Sequence, residues 1–220
     1  MKLVLASGSQ RRRELLTMCG YDYEIIVSNA DETIDENDPE SFVRALSFRK
    51  AKEVFDRLFE AGRRDFAVIG SDTVVAFQKE GETKPVIIGK PKDAEDAVCI
   101  LSMLSGKTHR VFTGVSVIAD IPDENAAAQC SIREKAEIQT ECSITEVTFE
   151  TLSPDEITDY VNSGDPLDKA GSYGIQGPFG MFVREIRGNY FTVIGMPIPV
   201  LYKMLKKIGI LPHGFYERIE

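Results

Sequence analysis

Short apolar runs alternate with longer amphipathic stretches in the first third of the chain. The pattern predicts strands over residues 3–6 and 24–27, with a helix over 10–19 between them. A second helix begins at Asp38-Pro39, where aspartate caps the first turn and proline takes the first helical position. Lys50 falls on this helix, whose apolar positions recur at helical spacing.

The middle of the chain is richer in strands. Residues 66–77 form an apolar run that we expect to break at Gly70-Ser71, with Asp72 between its two halves. A polar turn and a strand over 86–88 follow, and then a helix capped by Asp93 and closed by Gly106. Strands are predicted over 111–119 and 136–149, the second with a bulge near Ile144, and a surface loop or hairpin tip over 122–131.

The last quarter begins with a complete helix start at Ser153-Pro154-Asp155-Glu156. A loop rich in glycine and charge follows over residues 165–177. Two strands, 181–186 and 190–194, and a helix over 197–208 complete the prediction.

The order of these elements predicts the fold class. Strands and helices alternate early and strands cluster later, which indicates an α/β fold with a mixed, elongated sheet and flanking helices. We expect two lobes around a cleft, within a single domain over residues 1–220.

Charge narrows the class of partner. Asp and Glu number 35 against 26 Lys and Arg, a net charge of −9 that argues against nucleic acid. The cations are nevertheless grouped, at residues 11–13, 49–52 and 90–92, which suits a small polyanion. No apolar run is long enough to span a membrane or to form a secretory signal, so we expect a cytoplasmic protein without a membrane partner.

Cysteine and histidine offer little chemistry. The four cysteines lie far apart, and His109 and His213 are too isolated to complete a zinc site with them. Cys99 and Cys142 are expected to be buried free thiols, and no histidine is placed to activate either. His109 is expected to be a core or surface residue rather than a catalytic one.

The turn after the first strand is the first candidate site. Residues 7–10, Ser-Gly-Ser-Gln, lead directly into Arg11-Arg12-Arg13 at a helix start. Arginine opposes the helix dipole there unless an anion lies in front of it, so this turn favours phosphate binding. A solvated basic face is the alternative. Ser7 has capping-box spacing to Gln10, although Ser9 could cap instead.

Asp72 is the second candidate. An aspartate between Ile69 and Val74 should lose water, which is costly unless a metal or cation pairs with it. The alternative is a structural cap at the strand break. Val74 stands where a phosphatase of the haloacid-dehalogenase type would need a second aspartate, and no P-loop motif occurs.

Four further residues are candidates only in combination. Glu32 lies on an acidic loop that could simply be solvated, and Lys50 and Lys90 could simply extend their amines to water. Gln176 lies between Gly174 and Gly177, where a ligand can approach the backbone closely.

Taken together, the motifs resemble those of the Maf family of nucleoside triphosphate pyrophosphatases. The matches extend in order from residue 3 to about 202. The matching runs are LASGSQRRRELL from Leu5, GSDTVV from Gly70, GKP from Gly89, LSG from Leu104, TGV from Thr113 and DPLDKAGSYGIQG from Asp165. His109 and Val111, between the fourth and fifth runs, match as single residues. The resemblance implies an ITPase-like cleft fold and an enzyme that cleaves between the α and β phosphates, with a house-cleaning role.

The resemblance also implies residue roles. Asp72 resembles the general base or metal-linked carboxylate, with Glu32 as a second metal ligand and Mg²⁺ or Mn²⁺ as the cofactor. Phosphate and catalytic positions are matched by Ser7, Gly8, Arg12, Glu32, Lys50 and Lys90. Arg11, Thr73 and Gln176 match the branch that acts on dTTP and UTP, whereas the 7-methyl-GTP branch has Trp, Gln and Glu at those places.

Several questions stay open at this stage. Gln10 stands where the family usually has proline, and residues 79–86 and 122–135 look longer than the compact family form. An ITP or XTP pyrophosphatase, a 7-methyl-GTP pyrophosphatase and a nucleotide-binding division-control module without turnover are the alternative functions. A second copy of the chain is a candidate partner beside the nucleotide.

Overall fold

The structure is a computed structural model and describes residues 1–79, 81–121 and 136–214. Its elements are β1 Lys2–Leu5, α1 Gln10–Met18, β2 Glu24–Ile25, α2 Pro39–Glu60, β3 Phe66–Phe77, β4 Val86–Ile88, α3 Ala94–Leu104, β5 Thr108–Asp120, β6 Ala136–Phe149, α4 Pro154–Asn162, β7 Val183–Arg187, α5 Tyr190–Ile194 and α6 Ile198–Lys207. Short 3₁₀ helices lie at Asp165–Asp168, Ala170–Ser172 and Pro178–Phe182. The loop predicted over 122–131 and the longer segment 122–135 lie outside the described residues.

The strands form one mixed sheet of seven strands in the order β2-β1-β3-β5-β6-β7, with β4 also paired to β3. β1 runs parallel to β2 and β3, and every other pair is antiparallel. The predicted α/β class with a mixed sheet is confirmed. No helix in the described ranges combines the length and apolar character needed to cross a bilayer.

One edge of β3 has a gap between its two partners. β1 pairs with β3 up to the Leu5–Ile69 position, and β4 pairs with it from Val75 onward. No strand of the described chain covers this edge over residues 70–74. The gap opens the cleft between two lobes, with Asp72 at its centre.

Separate apolar cores fill the two lobes. In the first lobe, on one side of the gap, α1 and α6 pack on β1 and the first part of β3, through residues that include Leu5, Leu16, Ile69, Leu201 and Leu205. In the second lobe, on the other side, α3 and α4 pack on the second part of β3 and on β5 and β6, through residues that include Val75, Leu101, Leu104, Phe149 and Phe179. That the chain is a single domain stays a prediction.

Two glycines let α2 lie directly on the sheet. A Cβ atom on Gly70 would lie 2.1 Å from the carbonyl oxygen of Ser47, and one on Gly114 would lie 2.1 Å from that of Val43. The prediction that β3 breaks at Gly70-Ser71 is therefore wrong. The strand is continuous through Asp72, and the absence of a side chain at Gly70 serves the packing of α2.

Three other predictions need correction. Residues 190–194 form a helix rather than a strand, because the Asn189 side chain caps their first turn and Gly195 ends them with a φ of 111°. The irregularity in β6 lies at Thr148/Phe149 and not near Ile144. Cys99 is exposed rather than buried, and Cys142 is half-buried.

Candidate active site

A cleft of about 1550 Å³ runs along the free edge of β3. It is larger than the roughly 300–1,000 Å³ typical of small-molecule sites, so a nucleotide and its polyphosphate fit in one cavity. The ten candidate site residues from the sequence all line it, namely Ser7, Gly8, Arg11, Arg12, Glu32, Lys50, Asp72, Thr73, Lys90 and Gln176.

The turn after β1 is organised by Ser7. Its Oγ accepts the backbone N–H of Ser9 at 3.2 Å, which tightens the turn before α1. Ser9 occupies the N-cap position, but its side chain makes no capping hydrogen bond. The predicted capping box of Ser7 and Gln10 is absent, and the Gln10 amide instead donates to Glu14. The first turn therefore keeps backbone N–H groups available at the cleft.

Arg12 is held by neutral oxygen atoms. Its Nε donates to the carbonyl oxygen of Gly195 at 2.8 Å, its Nη1 to Ser7 Oγ at 3.1 Å and its Nη2 to Thr73 Oγ1 at 3.3 Å. No described carboxylate lies within ion-pair distance of it. Burial lowers the pKa of the Arg12 guanidinium, and the charge of Asp72 partly opposes this shift. The oriented, uncompensated cation can therefore bind an anion.

Hydrogen bonds behind Arg12 fix its acceptors. Thr73 Oγ1 lies 3.0 Å from Thr113 Oγ1, which donates to the carbonyl oxygen of Thr192 at 2.7 Å. Ser71 Oγ lies 2.9 Å from the carbonyl oxygen of Gly195. Gly195 is a site residue that sequence reasoning missed, because nothing in the chain links position 195 to position 12.

A cluster of opposite charges lies at the centre of the cleft. Lys50 Nζ on α2 lies 2.7 Å from Asp72 Oδ1 and 3.0 Å from Glu32 Oε1. The side chains of Lys50 and Asp72 are each 12% exposed, whereas that of Glu32 is 66% exposed. Burying the Asp72 carboxylate is tolerated because Lys50 pairs with it. The cation–carboxylate pairing expected of Asp72 is present.

The Glu32 loop is anchored to α2. Arg49 Nη1 donates to the carbonyl oxygens of Asp31 and Thr33, each at 2.8 Å, so the backbone on both sides of Glu32 is held. This arrangement keeps the exposed Glu32 carboxylate beside Lys50.

The donor set suits a magnesium-type ion that is shared with a substrate. In the described ranges no group of three or more potential ligands among His, Cys, Asp and Glu comes together. Mg²⁺ commonly uses one or two carboxylates, several waters and substrate phosphates, and Asp72 and Glu32 offer two carboxylates. The residues present therefore fit a divalent cation that arrives with a polyphosphate.

Arg11 and Lys90 face the cleft from opposite lobes. Arg11 Nη1 lies 3.6 Å from Asp168 Oδ2. Lys90 is exposed, and its positive charge also acts on the carboxylate of Asp168. Partial burial would raise the pKa of Asp168, but a hydrogen bond from Lys169 and the charges of Lys169, Arg11 and Lys90 outweigh it and lower that pKa. Asp168 thus stays ionised between the lobes.

Gln176 lies on a tight turn of the second lobe. The turn closes where the backbone N–H of Gly177 donates to the carbonyl oxygen of Gly174 at 3.2 Å. A Cβ on Gly174 would lie 2.7 Å from Lys169 Cε, so the turn packs closely on the preceding segment. The side chain of Gln176 is exposed to the cleft.

His109 takes no part in the cleft. It is 2% exposed, and its Nε2 lies 3.0 Å from the hydroxyl of Tyr173. Burial lowers the pKa of His109 to about 3, so the ring is neutral. The expectation of a core or surface histidine is confirmed.

Comparisons with known proteins agree with this geometry. A family model described as "Maf-like protein" matches residues 2–208. A dTTP/UTP pyrophosphatase of Agathobacter rectalis is 40% identical, over 95% of this chain and 98% of its own. The dTTP/UTP pyrophosphatases of Bacillus thuringiensis subsp. konkukian and Clostridium beijerinckii are each 42% identical, over 95% and 94% of this chain and 96% and 100% of theirs.

Among solved structures, the Ham1 protein of Staphylococcus aureus has a TM-score of 0.48 and 16% identity, over 94% of this chain and all of its own. That similarity is too distant to bear on function.

Proposed function

The chain belongs to the Maf-like protein family, and from this premise we propose that it is a pyrophosphatase that hydrolyses dTTP and UTP to the nucleoside monophosphate and pyrophosphate. The observation that carries the proposal is the single cleft in which a buried Asp72–Lys50 pair lies near the oriented cation of Arg12. A carboxylate to handle a proton and cations to bind phosphate are what this reaction requires.

The reaction requires one group that accepts a proton and other groups that stabilise negative charge. Water attacks the α phosphorus, its proton passes to a base, and the bond to the bridging oxygen breaks so that pyrophosphate leaves with that oxygen. Asp72 is positioned to accept the proton. Negative charge grows on the α-phosphoryl and leaving oxygens, where Lys50 and Lys90 stabilise it, while Arg12 binds the phosphates equally before and during this step. Holding the reactants in line contributes roughly 7–11 kcal/mol in well-oriented systems.

We assign a divalent cation, Mg²⁺ or Mn²⁺, to Asp72 and Glu32. Such an ion polarises phosphoryl oxygens and lowers the pKa of a bound water. Lys50 contacts both carboxylates, so with such an ion bound its amine would share them with the metal and would supply a further positive charge for the phosphates.

We assign recognition of the nucleobase to Gln176, on the other side of the cleft. The Gln176 amide offers a donor and an acceptor, which match the adjacent carbonyl and N3–H of uracil or thymine. Arg11 and Thr73 complete the set of residues that match the dTTP and UTP branch. The Trp, Gln and Glu of the 7-methyl-GTP branch are absent from these positions.

The direct test incubates purified protein with dTTP, UTP, CTP, ITP and 7-methyl-GTP, with Mg²⁺ or Mn²⁺ and after chelation, and identifies the products. The proposal expects monophosphate and pyrophosphate from dTTP and UTP, and none after chelation. Preference for ITP or 7-methyl-GTP would overturn the substrate assignment. Nucleotide binding without pyrophosphate release would instead indicate a binding module.

A further inference from the structure

The turn that carries Gln176 depends on one buried hydroxyl. Tyr160 on α4 is 6% exposed, and its hydroxyl oxygen accepts the backbone N–H of Gly174 at 3.0 Å. The same hydroxyl donates to Asp165 Oδ2 at 2.6 Å. Because Gly174 and Gly177 close the turn, fixing Gly174 fixes the place of Gln176.

The Tyr160 hydroxyl is the first member of a chain of polar contacts across the cleft. Asp165 Oδ1 lies 3.0 Å from Lys169 Nζ, which lies 2.7 Å from Asp168 Oδ1. Asp168 in turn meets Arg11 of the first lobe. The series of contacts therefore runs from the backbone of Gly174, two residues before Gln176, to the side chain of Arg11. Gln176 and Arg11 both match the dTTP and UTP branch.

We propose that Tyr160 is a positioning residue that sets base selectivity by holding the Gln176 turn against Asp165. The inference rests on the proposed function for the identity of the substrate. Tyr160 is absent from the lining of the cleft. It acts through the backbone of Gly174, so its loss changes how well the base is read and leaves the phosphate-binding groups in place.

The ring and the hydroxyl of Tyr160 have separable roles. The ring packs on Phe179 with centroids 4.8 Å apart and belongs to the apolar core of the second lobe. Burial and the hydrogen bond to Asp165 both raise the pKa of the Tyr160 hydroxyl, so it stays protonated and able to donate. Tyr160→Phe keeps the ring and removes the hydroxyl with its two hydrogen bonds, to Gly174 of the turn and to Asp165.

The kinetic test compares Tyr160→Phe with a matched variant, Tyr21→Phe. Tyr21 is also 6% exposed, but its hydroxyl has no hydrogen-bond partner among the described residues and lies in the core of the first lobe. For Tyr160→Phe we expect KM for dTTP to rise about tenfold, the effect of a lost hydrogen bond to a charged group, with kcat within about twofold. The dTTP/CTP ratio of kcat/KM should fall, and Tyr21→Phe should change neither quantity.

A second measurement does not depend on turnover. Hydrogen–deuterium exchange over residues 170–177 should accelerate about tenfold in Tyr160→Phe and stay unchanged in Tyr21→Phe, since the Gly174 amide loses its acceptor. Unchanged exchange would overturn the inference even if the wild-type protein hydrolysed none of the triphosphates. Faster exchange with an unchanged dTTP/CTP ratio in an active enzyme would also overturn it, because the turn would then move without affecting selectivity.

Discussion

Asp72 and Thr73 are neighbours on β3, yet they face opposite sides of the sheet and meet opposite kinds of partner. On the side of α2, which we term the carboxylate face, the Lys50 amine is shared by Asp72 and Glu32. On the other side, the arginine face, the Arg12 guanidinium donates to one carbonyl oxygen and two hydroxyl oxygens of the described residues. The two faces of one strand thus border a cluster of net negative charge and a cation that forms no ion pair within the described residues, both in the same cleft.

The difference indicates a division of labour. A cluster in which one amine faces two carboxylates carries a net negative charge, so it can take up a proton or a metal ion. A cation held by neutral acceptors is already oriented and still lacks a counter-ion, which the substrate supplies. The carboxylate face is therefore suited to chemistry and the arginine face to binding.

Asp72→Asn should break the carboxylate face most severely. The amide cannot accept a proton from water and pairs weakly with Lys50, so kcat should fall roughly 10²–10⁴-fold while nucleotide affinity changes little. Asp120→Asn is the matched control, since both aspartates are 8% exposed and, within the described residues, the Asp120 side chain accepts the backbone N–H of Asp65 and pairs with no cation. Turnover that survives Asp72→Asn would exclude Asp72 as the base.

Arg12→Lys should damage the arginine face through binding. Lysine keeps the charge but lacks the planar fork that reaches Gly195, Ser7 and Thr73 together, so kcat/KM should fall roughly 10–100-fold, mainly through KM. Arg57→Lys, on the exposed side of α2, serves as the control. A loss confined to kcat would contradict the assignment of this face to binding.

Gln176→Glu should alter selectivity while leaving both faces of β3 intact. Glutamate has no amide donor for a carbonyl of thymine, but it can accept from the exocyclic amine of cytosine. The dTTP/CTP ratio of kcat/KM should therefore fall about tenfold, given that a good base contact contributes roughly 1–3 kcal/mol. Initial rates with both nucleotides measure this ratio, and an unchanged ratio would remove Gln176 from base reading.

Gly114→Ala should test how α2 delivers Lys50 to the carboxylate face. The added Cβ would lie 2.1 Å from the Val43 carbonyl oxygen, so α2 must shift, at a cost of about 1–3 kcal/mol in the free energy of unfolding. Urea denaturation measures that cost, with Gly89→Ala as a comparison because nothing lies within 4 Å of its added Cβ. Equal stability of the two variants would contradict the close packing.

The last prediction concerns a residue outside both faces. The pKa of buried His109 is lowered from 6.5 to about 3, so below pH 6.5 the unfolded chain takes up a proton that the folded protein does not. Stability is therefore complete above pH 6.5 and falls by at most about 1.4 kcal/mol per pH unit down to about pH 3. The free energy of unfolding, measured by urea denaturation at several pH values, should lose this part of its pH dependence in His109→Gln. It should keep it in His213→Gln, whose histidine is exposed.

The sequence predicted most of the elements because their signals are local. Asp38, Asp93 and Ser153 each cap a helix, as their positions indicated. The strand predicted over 190–194 was wrong because a short apolar run also fits a single helical turn, and Asn189 and Gly195 cap that turn. The break predicted at Gly70 was wrong for a different reason, since the contact that requires glycine there comes from α2.

The candidate site was predictable in its members but not in their pairing. The motifs singled out ten residues that line one cleft, although their roles stay predictions. The partners that orient them come from distant parts of the chain, as Gly195 does for Arg12 and Tyr160 for the Gln176 turn. A backbone carbonyl or one tyrosine hydroxyl has no distinctive sequence signal, so only the fold reveals these contacts.

The most direct test of the account is where the oxygen of the attacking water ends up. Hydrolysis of dTTP in H₂¹⁸O should give singly labelled dTMP and unlabelled pyrophosphate, because the cleft is assigned to attack on the α phosphorus. Label in the pyrophosphate, or release of inorganic phosphate in its place, would mean that water attacks elsewhere on the triphosphate and would contradict the account.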